Sequence, residues 1–156
     1  MTDNTGQMEL SSLVRDNIDE ILVKIIQFTH LHHNLISDNI RNCQTVGFVP
    51  QCIDVEDFTR VISIALAEHQ ENRRLALCDS RTVCFLPGGN FRLEPMIDVE
   101  AAQLVDSDFE AYVELQRTRL KENSINNKAA CALLTHKLNK AEVAVKQKDD
   151  PVKNKA

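Results

Sequence analysis

Two runs of apolar residues, spaced alternately four and three apart, lie near opposite ends of this chain, and the stretch between them holds three of its four glycines and three of its four prolines. This arrangement favours two long helices joined by a broken middle, because a four-three alternation lines up one face of an α-helix and nothing else. The first run is Val14, Ile18, Ile21, Ile25, Phe28, His32 and Leu35, interrupted only by the histidine. Leu22, Ile26, Leu31 and Ile36 widen the stripe beyond the narrow seam of a two-stranded coil, so the helix expects partners on more than one side. The second run is Leu120, Ser124, Asn127, Cys131, Leu134, Leu138, Ala141 and Val145. Ser124 and Asn127 occupy seam positions where apolar residues are the rule, which marks them as specifiers of register or partner.

These seams divide the chain into a flexible segment 1–9, an N-terminal helix 10–42, a middle segment 43–103, a C-terminal helix 104–147 and a tail 148–156. The tail has no apolar face to offset the entropy of ordering it, and is expected to be disordered. Within the middle, Gly47 and Pro50 end the first helix in a tight turn. Asp54 is placed to cap a short amphipathic helix on which Val55, Phe58, Val61, Ile62, Ala65 and Leu66 keep helical spacing to about Asn72. Thr82 to Leu86 and Phe91 to Leu93 flank Pro87, Gly88, Gly89 and Asn90, a pattern for a hairpin or an extended loop. The fold class that follows is mainly α: long terminal helices pairing antiparallel as a coiled-coil-like bundle, with a short middle helix and a loop or β-hairpin insertion that projects away from the pair.

Several function classes fit poorly. A formal net charge of -5 provides no field to attract a polyanion, so no nucleic-acid partner is expected. No apolar run approaches the ~18 residues of a membrane span, and the polar start, Met1 to Gln7, does not read as a cleaved secretory signal. The five cysteines, Cys43, Cys52, Cys78, Cys84 and Cys131, form an odd set without a CxxC pair, which fits neither a zinc cage nor a complete disulfide framework. A Cys78–Cys84 bridge stays open for an oxidising compartment.

His30 and His33 lie one helical turn apart, but no carboxylate or cysteine at helical spacing completes a metal sphere with them. Cys131 and His136, five apart on one helix, point in different directions and make a poor nucleophile and base. Gly88 and Gly89 lack the lysine and flanking elements of a phosphate loop and read as a turn. The carboxylate pairs Asp98 with Glu100 and Asp106 with Asp108 fit a solvated helix start. No catalytic residue, cofactor or metal site is expected.

The segment around the first helix end carries a resemblance. Asn39, Ile40, Asn42, Thr45, Gly47 and Phe48, with Leu35 a turn before them, resemble the signature with which bacterial flagellar basal-body rod proteins end their long first helix, a run of the type Leu-x-x-Asn-Ile-Ala-Asn-x-x-Thr-Pro-Gly-Tyr. Asn42 and Thr45 can satisfy backbone groups freed at a helix end, and Gly47 can adopt a backbone conformation closed to other residues. Val55, Glu56, Asp57 and Phe58 look like the proximal-rod branch, and Asn127, Lys128, Ala129 and Ala130 with Leu133 and Leu134 resemble the C-terminal helix of the family. Val46 stands where the family has proline, Arg41 where it has a small residue, and the Asn-Val-Asp opening of the last helix has no clean counterpart.

The resemblance implies a non-enzymatic structural subunit of the proximal rod. It implies export through the flagellar type III apparatus without a cleaved signal, and assembly in the periplasm with copies of itself and other rod or basal-body subunits into a torque-transmitting tube. The seam residues Val14, Ile18, Ile21, Ile25, Phe28, Leu120, Asn127, Leu134 and Leu138 then serve assembly, with Leu22, Ile26 and Leu31 left partly uncovered for neighbours. The alternative is a soluble helical adaptor or export chaperone that binds partner helices.

Overall fold

The structure, a computed structural model, describes residues 16–149. Helix α1 (Asn17–Arg41) is followed by strand β1 (Gln51–Cys52), helix α2 (Val55–Asn72), strands β2 (Val83–Phe85), β3 (Phe91–Leu93) and β4 (Met96–Ile97), and helices α3 (Val99–Ser107) and α4 (Phe109–Asp149). The fold is mainly helical, with two small two-stranded sheets.

Helix α1 begins later than the 10–42 reading. Asp16 is extended, and its carboxylate accepts from the Asp19 N–H at 2.8 Å, a cap that closes the helix start. Val14 and the segment 1–9 lie outside the described residues. The end falls where expected, with Asn42 as the C-cap. Helix α2 also starts as expected, Asp54 accepting from the Asp57 N–H at 3.0 Å.

The C-terminal helix differs from the single rod drawn over 104–147. Asp108 takes a non-helical conformation and breaks it, then caps α4 by accepting from the Ala111 N–H at 3.1 Å. An aspartate that competes for the backbone in this way favours a helix start over a helix interior. Lys148 and Asp149 extend α4 beyond the expected end at 147, and the rest of the predicted tail lies outside the described residues.

Contacts between α1 and α4 are the most extensive in the fold. They step in opposite senses along the two helices: Asn39 meets Tyr112 and Gln116, Thr29 meets Asn123 and Asn127, and Asp19 meets Lys137. Leu22 and Val23 pack with Ala130 and Leu134 to form one apolar cluster, with Ile18, Ile25, Ile26 and Leu138 partly buried against it. A second cluster joins Ile21 and Phe28 of α1 to Phe58, Val61, Ile62 and Ala65 of α2 and to Ile53 and Val83. The Phe28 and Phe58 rings stack at 3.9 Å, and Phe91 continues the array at 5.9 Å from Phe58.

The middle segment therefore does not project from the helix pair. It folds back on α1, because that helix carries two apolar faces and α4 covers only one. The hairpin β2–β3 forms with Val83 opposite Leu93 and Phe85 opposite Phe91. Its turn seats Gly89 against the Glu20–Lys24 ion pair; a β-carbon there would lie 3.8 Å from both Glu20 Oε1 and Lys24 Nζ. Lys24 is buried at 3% exposure, and its 2.6 Å contact with Glu20 supplies the partner that a buried ammonium requires.

The stripe that sequence reading left uncovered is largely filled within one copy. Leu22 is buried and Ile26 half-buried, whereas Leu31 is exposed. Along α4 the buried positions are Tyr112, Gln116, Asn123, Ala130 and Leu134, a set that shares only Leu134 with the expected seam. Leu120, Ser124, Asn127, Cys131, Leu138 and Ala141 are half-buried, and Val145 is exposed. The shift follows from chemistry that an apolar pattern cannot register: the Asn123 amide nitrogen and the Gln116 amide oxygen find hydrogen-bond partners on α1, although Gln116 Nε2 has none among the described residues.

Candidate functional site

The motif Leu35 to Phe48 builds a defined exit from α1, and its centre is Asn39. Buried at 3% exposure, this side chain works as a piece of backbone: Nδ2 donates to the Gln51 carbonyl at 2.7 Å and Oδ1 accepts from the Gln51 N–H at 3.1 Å. The helix end is thereby fastened to β1 as a third strand would be. Tyr112 of α4 donates its hydroxyl to the Asn39 carbonyl at 2.6 Å, and Asn39 Nδ2 reaches Gln116 Oε1 at 3.5 Å. Burial pushes the Tyr112 hydroxyl up to about 12, so it remains a donor throughout the physiological range.

The turn itself closes through backbone, not through side chains as the motif suggested. Thr45 N–H donates to the Asn42 carbonyl at 2.9 Å and Phe48 N–H to the Thr45 carbonyl at 3.1 Å, with Thr45 exposed. Gly47 sits at φ +80°, the left-handed conformation expected of it. Leu35 packs against the core and Ile40 is half-buried, so the apolar motif positions anchor the helix end.

A second polar cluster ties the middle of α1 to α4. Asn123 Nδ2 donates to the Thr29 carbonyl at 2.7 Å, and Asn127 Nδ2 donates to Thr29 Oγ1 at 2.8 Å while that hydroxyl donates to the Ile26 carbonyl at 2.8 Å. Asn127, read from sequence as an interface specifier, thus spends its donor within its own chain and fixes the register of α4 on α1. Thr29 and Asn123 were not singled out from the sequence. The signal available was the seven-residue spacing of Gln116, Asn123 and Ala130, with Leu134 four residues further on.

Next to this cluster lies a cleft of about 300 Å³ with a mixed lining, in which His32, Gln116, Arg119 and Glu122 stand beside Phe28 and Ile53. Burial holds His32 below its ordinary pKa, a hydrogen bond with Asn123 opposes the shift, and the Arg119 charge adds to it. Burial likewise pushes the Cys52 thiol up, with Asp98 contributing, which leaves a protonated and unreactive sulfur. Arg119 is occupied by the Asp98 carboxylate, and reaches Glu100 at 3.5 Å. The same Asp98 carboxylate caps α3 through the Ala101 N–H at 3.0 Å. The Asp98–Glu100 pair is therefore part of a structural bracket between α3 and α4.

Asp57 organises the other side of α2. Its carboxylate accepts from the Ser80 hydroxyl at 2.6 Å, from the Thr82 hydroxyl and N–H, and from Arg60 at 3.2 Å. The Ser80 and Thr82 bonds hold its pKa far below the usual carboxylate range. Lys137, near the far end of the α1–α4 contact, bridges Asp16 at 3.0 Å and Asp19 at 3.3 Å.

No group of three or more His, Cys, Asp or Glu side chains that could hold a metal occurs among the described residues. His30 and His33 are exposed, and all five cysteines are free thiols, Cys78 and Cys84 included. Cys131 directs its thiol at Asn127 Oδ1 at 3.8 Å, and His136 is exposed. No helix among the described residues is long and apolar enough to cross a membrane. These groups cap, clamp and register helices, and the exposed apolar residues Ile125, Leu133, Val143 and Val145 lie along α4. Comparison with protein-family models, curated proteins and solved structures found no match to this chain.

Proposed function

We propose that the chain is a structural subunit of the proximal rod of the bacterial flagellar basal body. In this reading α1 and α4 pair antiparallel as a coiled-coil-like bundle, and subunits exported by the flagellar type III apparatus assemble in the periplasm with copies of themselves and with other rod subunits. The observation that carries the proposal is the exit turn: the residues of the rod-like motif are those that end α1, with Asn39 clamped to Gln51 and Gly47 in the left-handed region. Further support comes from α4, which continues for twelve residues beyond Lys137, its contact with the start of α1, and carries Val143 and Val145 exposed there.

The burial of Ile21, Leu22, Phe28, Ala130 and Leu134 inside one copy relocates the assembly surface in this proposal. Neighbours meet the outer face and free end of α4, and reach the α1 stripe only where Leu22, Ile25 and Phe28 floor a groove beside α4. The same burial also favours the second reading, a helical adaptor stable as a monomer, and hydrogen exchange separates the two. A rod subunit leaves the amides of residues 139–149 rapidly exchanging until it assembles, whereas an adaptor with a complete fold protects them in the monomer. Deletion of the gene in its host, followed by electron microscopy of the basal body, tests the assignment. Loss of the rod is expected, and a normal rod with normal motility overturns it.

A further inference from the structure

An apolar groove of about 330 Å³ runs between α2 and α4, floored by Leu22, Ile25 and Phe28 of α1 and walled by Val55, Ile62 and Leu133. No charged side chain lines it, and Ala129 and Ala130 on its α4 side leave room for an approaching backbone. Leu133 is 57% exposed and Val55 40%, so two of its walls face solvent. The complementary object is on the same molecule. Past Leu138, which packs on its own chain, α4 presents Ala141, Ala144 and Val145 at i, i+3 and i+4, one face of a helix-in-groove ligand.

We infer that this groove receives the C-terminal end of α4 from a second copy of the chain, an inference that rests on the assembly reading above and names its contact. One copy cannot fill its own groove: Leu133 and Val145 lie on one continuous helix, twelve residues and about 18 Å apart along its axis. The contact joins unlike surfaces, groove of one copy to helix end of the next, and it repeats into an array wherever two copies do not exchange their ends reciprocally.

Charge favours the same pairing. Glu122 on α4, which shares the neighbouring cleft with Val55 and Asn126 of the groove, and Glu56 beside Val55 have no ion pair among the described residues. Over residues 139–149 the incoming helix carries Lys140, Lys146 and Lys148 against Glu142 and Asp149. A short helix laid in this groove buries well under the ~1,200 Å² of a stable pairwise interface, so each contact is weak and association depends on concentration.

The test uses the full chain and two substitutions at exposed positions, Leu133→Asp in the groove wall and Val145→Asp on the helix end, each checked for an unchanged circular dichroism spectrum. Sedimentation velocity of the wild type is expected to show concentration-dependent species beyond a dimer, and either variant alone to need at least about ten-fold more protein to associate. Mixed, the two variants retain one intact groove and one intact helix end between them, and so form a one-to-one pair that does not extend. A wild-type chain that remains monomeric, as it does if its own residues 1–15 fill the groove, overturns the inference. So does a mixture that behaves as the sum of its parts. If the wild type assembles and both variants still assemble, the groove contact is refuted while the rod reading stands on its own test in the basal body.

Discussion

Replacing Asn39 separates a clamp from mere packing. Asn39→Ala removes the two hydrogen bonds to Gln51, at 2.7 and 3.1 Å, and the long 3.5 Å bond to Gln116 Oε1, and leaves the Tyr112 bond to the residue 39 carbonyl intact. Each bond is worth ~1 kcal/mol net, and Gln51 is exposed, so water can reclaim its backbone groups; the loss is about 2 kcal/mol. Asn39→Asp keeps the acceptor for the Gln51 N–H but turns the donor into a second oxygen facing the Gln51 carbonyl and Gln116 Oε1. At neutral pH this variant should lose more than the alanine variant, about 3 kcal/mol or more, because a carboxylate is buried against two acceptors. Its folded-state pKa is then raised above the unfolded value near ~3.9, so the folded form binds the extra proton and the deficit relative to alanine shrinks as pH falls. Urea unfolding followed by circular dichroism reads both effects; with a slope of about 2 kcal/mol per molar, Asn39→Ala lowers the midpoint by about 1 M. An alanine variant within about 0.5 kcal/mol of wild type, or an aspartate variant more stable than alanine at pH 7, refutes the clamp.

Three further outcomes follow from the packing. Phe28→Ala removes a ring stacked 3.9 Å from Phe58 in the core and should cost ~3–5 kcal/mol in the same assay, whereas truncating exposed Leu31 should cost little. A double-mutant cycle on Thr29→Val and Asn127→Leu should give a coupling of about 1 kcal/mol, and additive losses would show that the 2.8 Å bond does not set the register of α4. Asp57 has a depressed folded-state pKa, so its contribution is fully present above the unfolded value near ~3.9 and is lost as pH falls toward the folded one. Asp57→Asn should accordingly flatten the acid limb of the stability profile, and an unchanged limb would show that the Ser80 and Thr82 bonds are not responsible.

Much of the element order could be read from the chain because it is written in backbone-directed residues: Asp54 capping α2, Gly47 at the exit turn, and the Pro87–Asn90 reversal. What stayed hidden depended on partners distant in sequence. An apolar template slides α4 by one residue toward Leu120 and Ser124, and only the presence of Thr29 and Asn39 opposite makes Asn123 and Gln116 better buried. Asp108 was equally ambiguous, since an aspartate can lie on a helix surface or start a helix, and the demand of Tyr112 for the Asn39 carbonyl favours the second. The packing of the middle segment on α1 was implicit in the width of the stripe around Ile21 and Leu22, but the apolar pattern does not name the face that α2 takes.

The seat of Gly89 over the Glu20–Lys24 pair makes the hairpin tip a lid over a dry ammonium. Lifting it exposes aromatic surface at Phe91, which opposes opening, yet lets water back onto Lys24, which assists it. The two effects partly cancel, so the flap should swing at a fraction of the energy of global unfolding. A larger residue in place of Gly89 would place its β-carbon in ordinary contact with the pair but would have to adopt φ +85°, and so would weaken the turn without wedging it open.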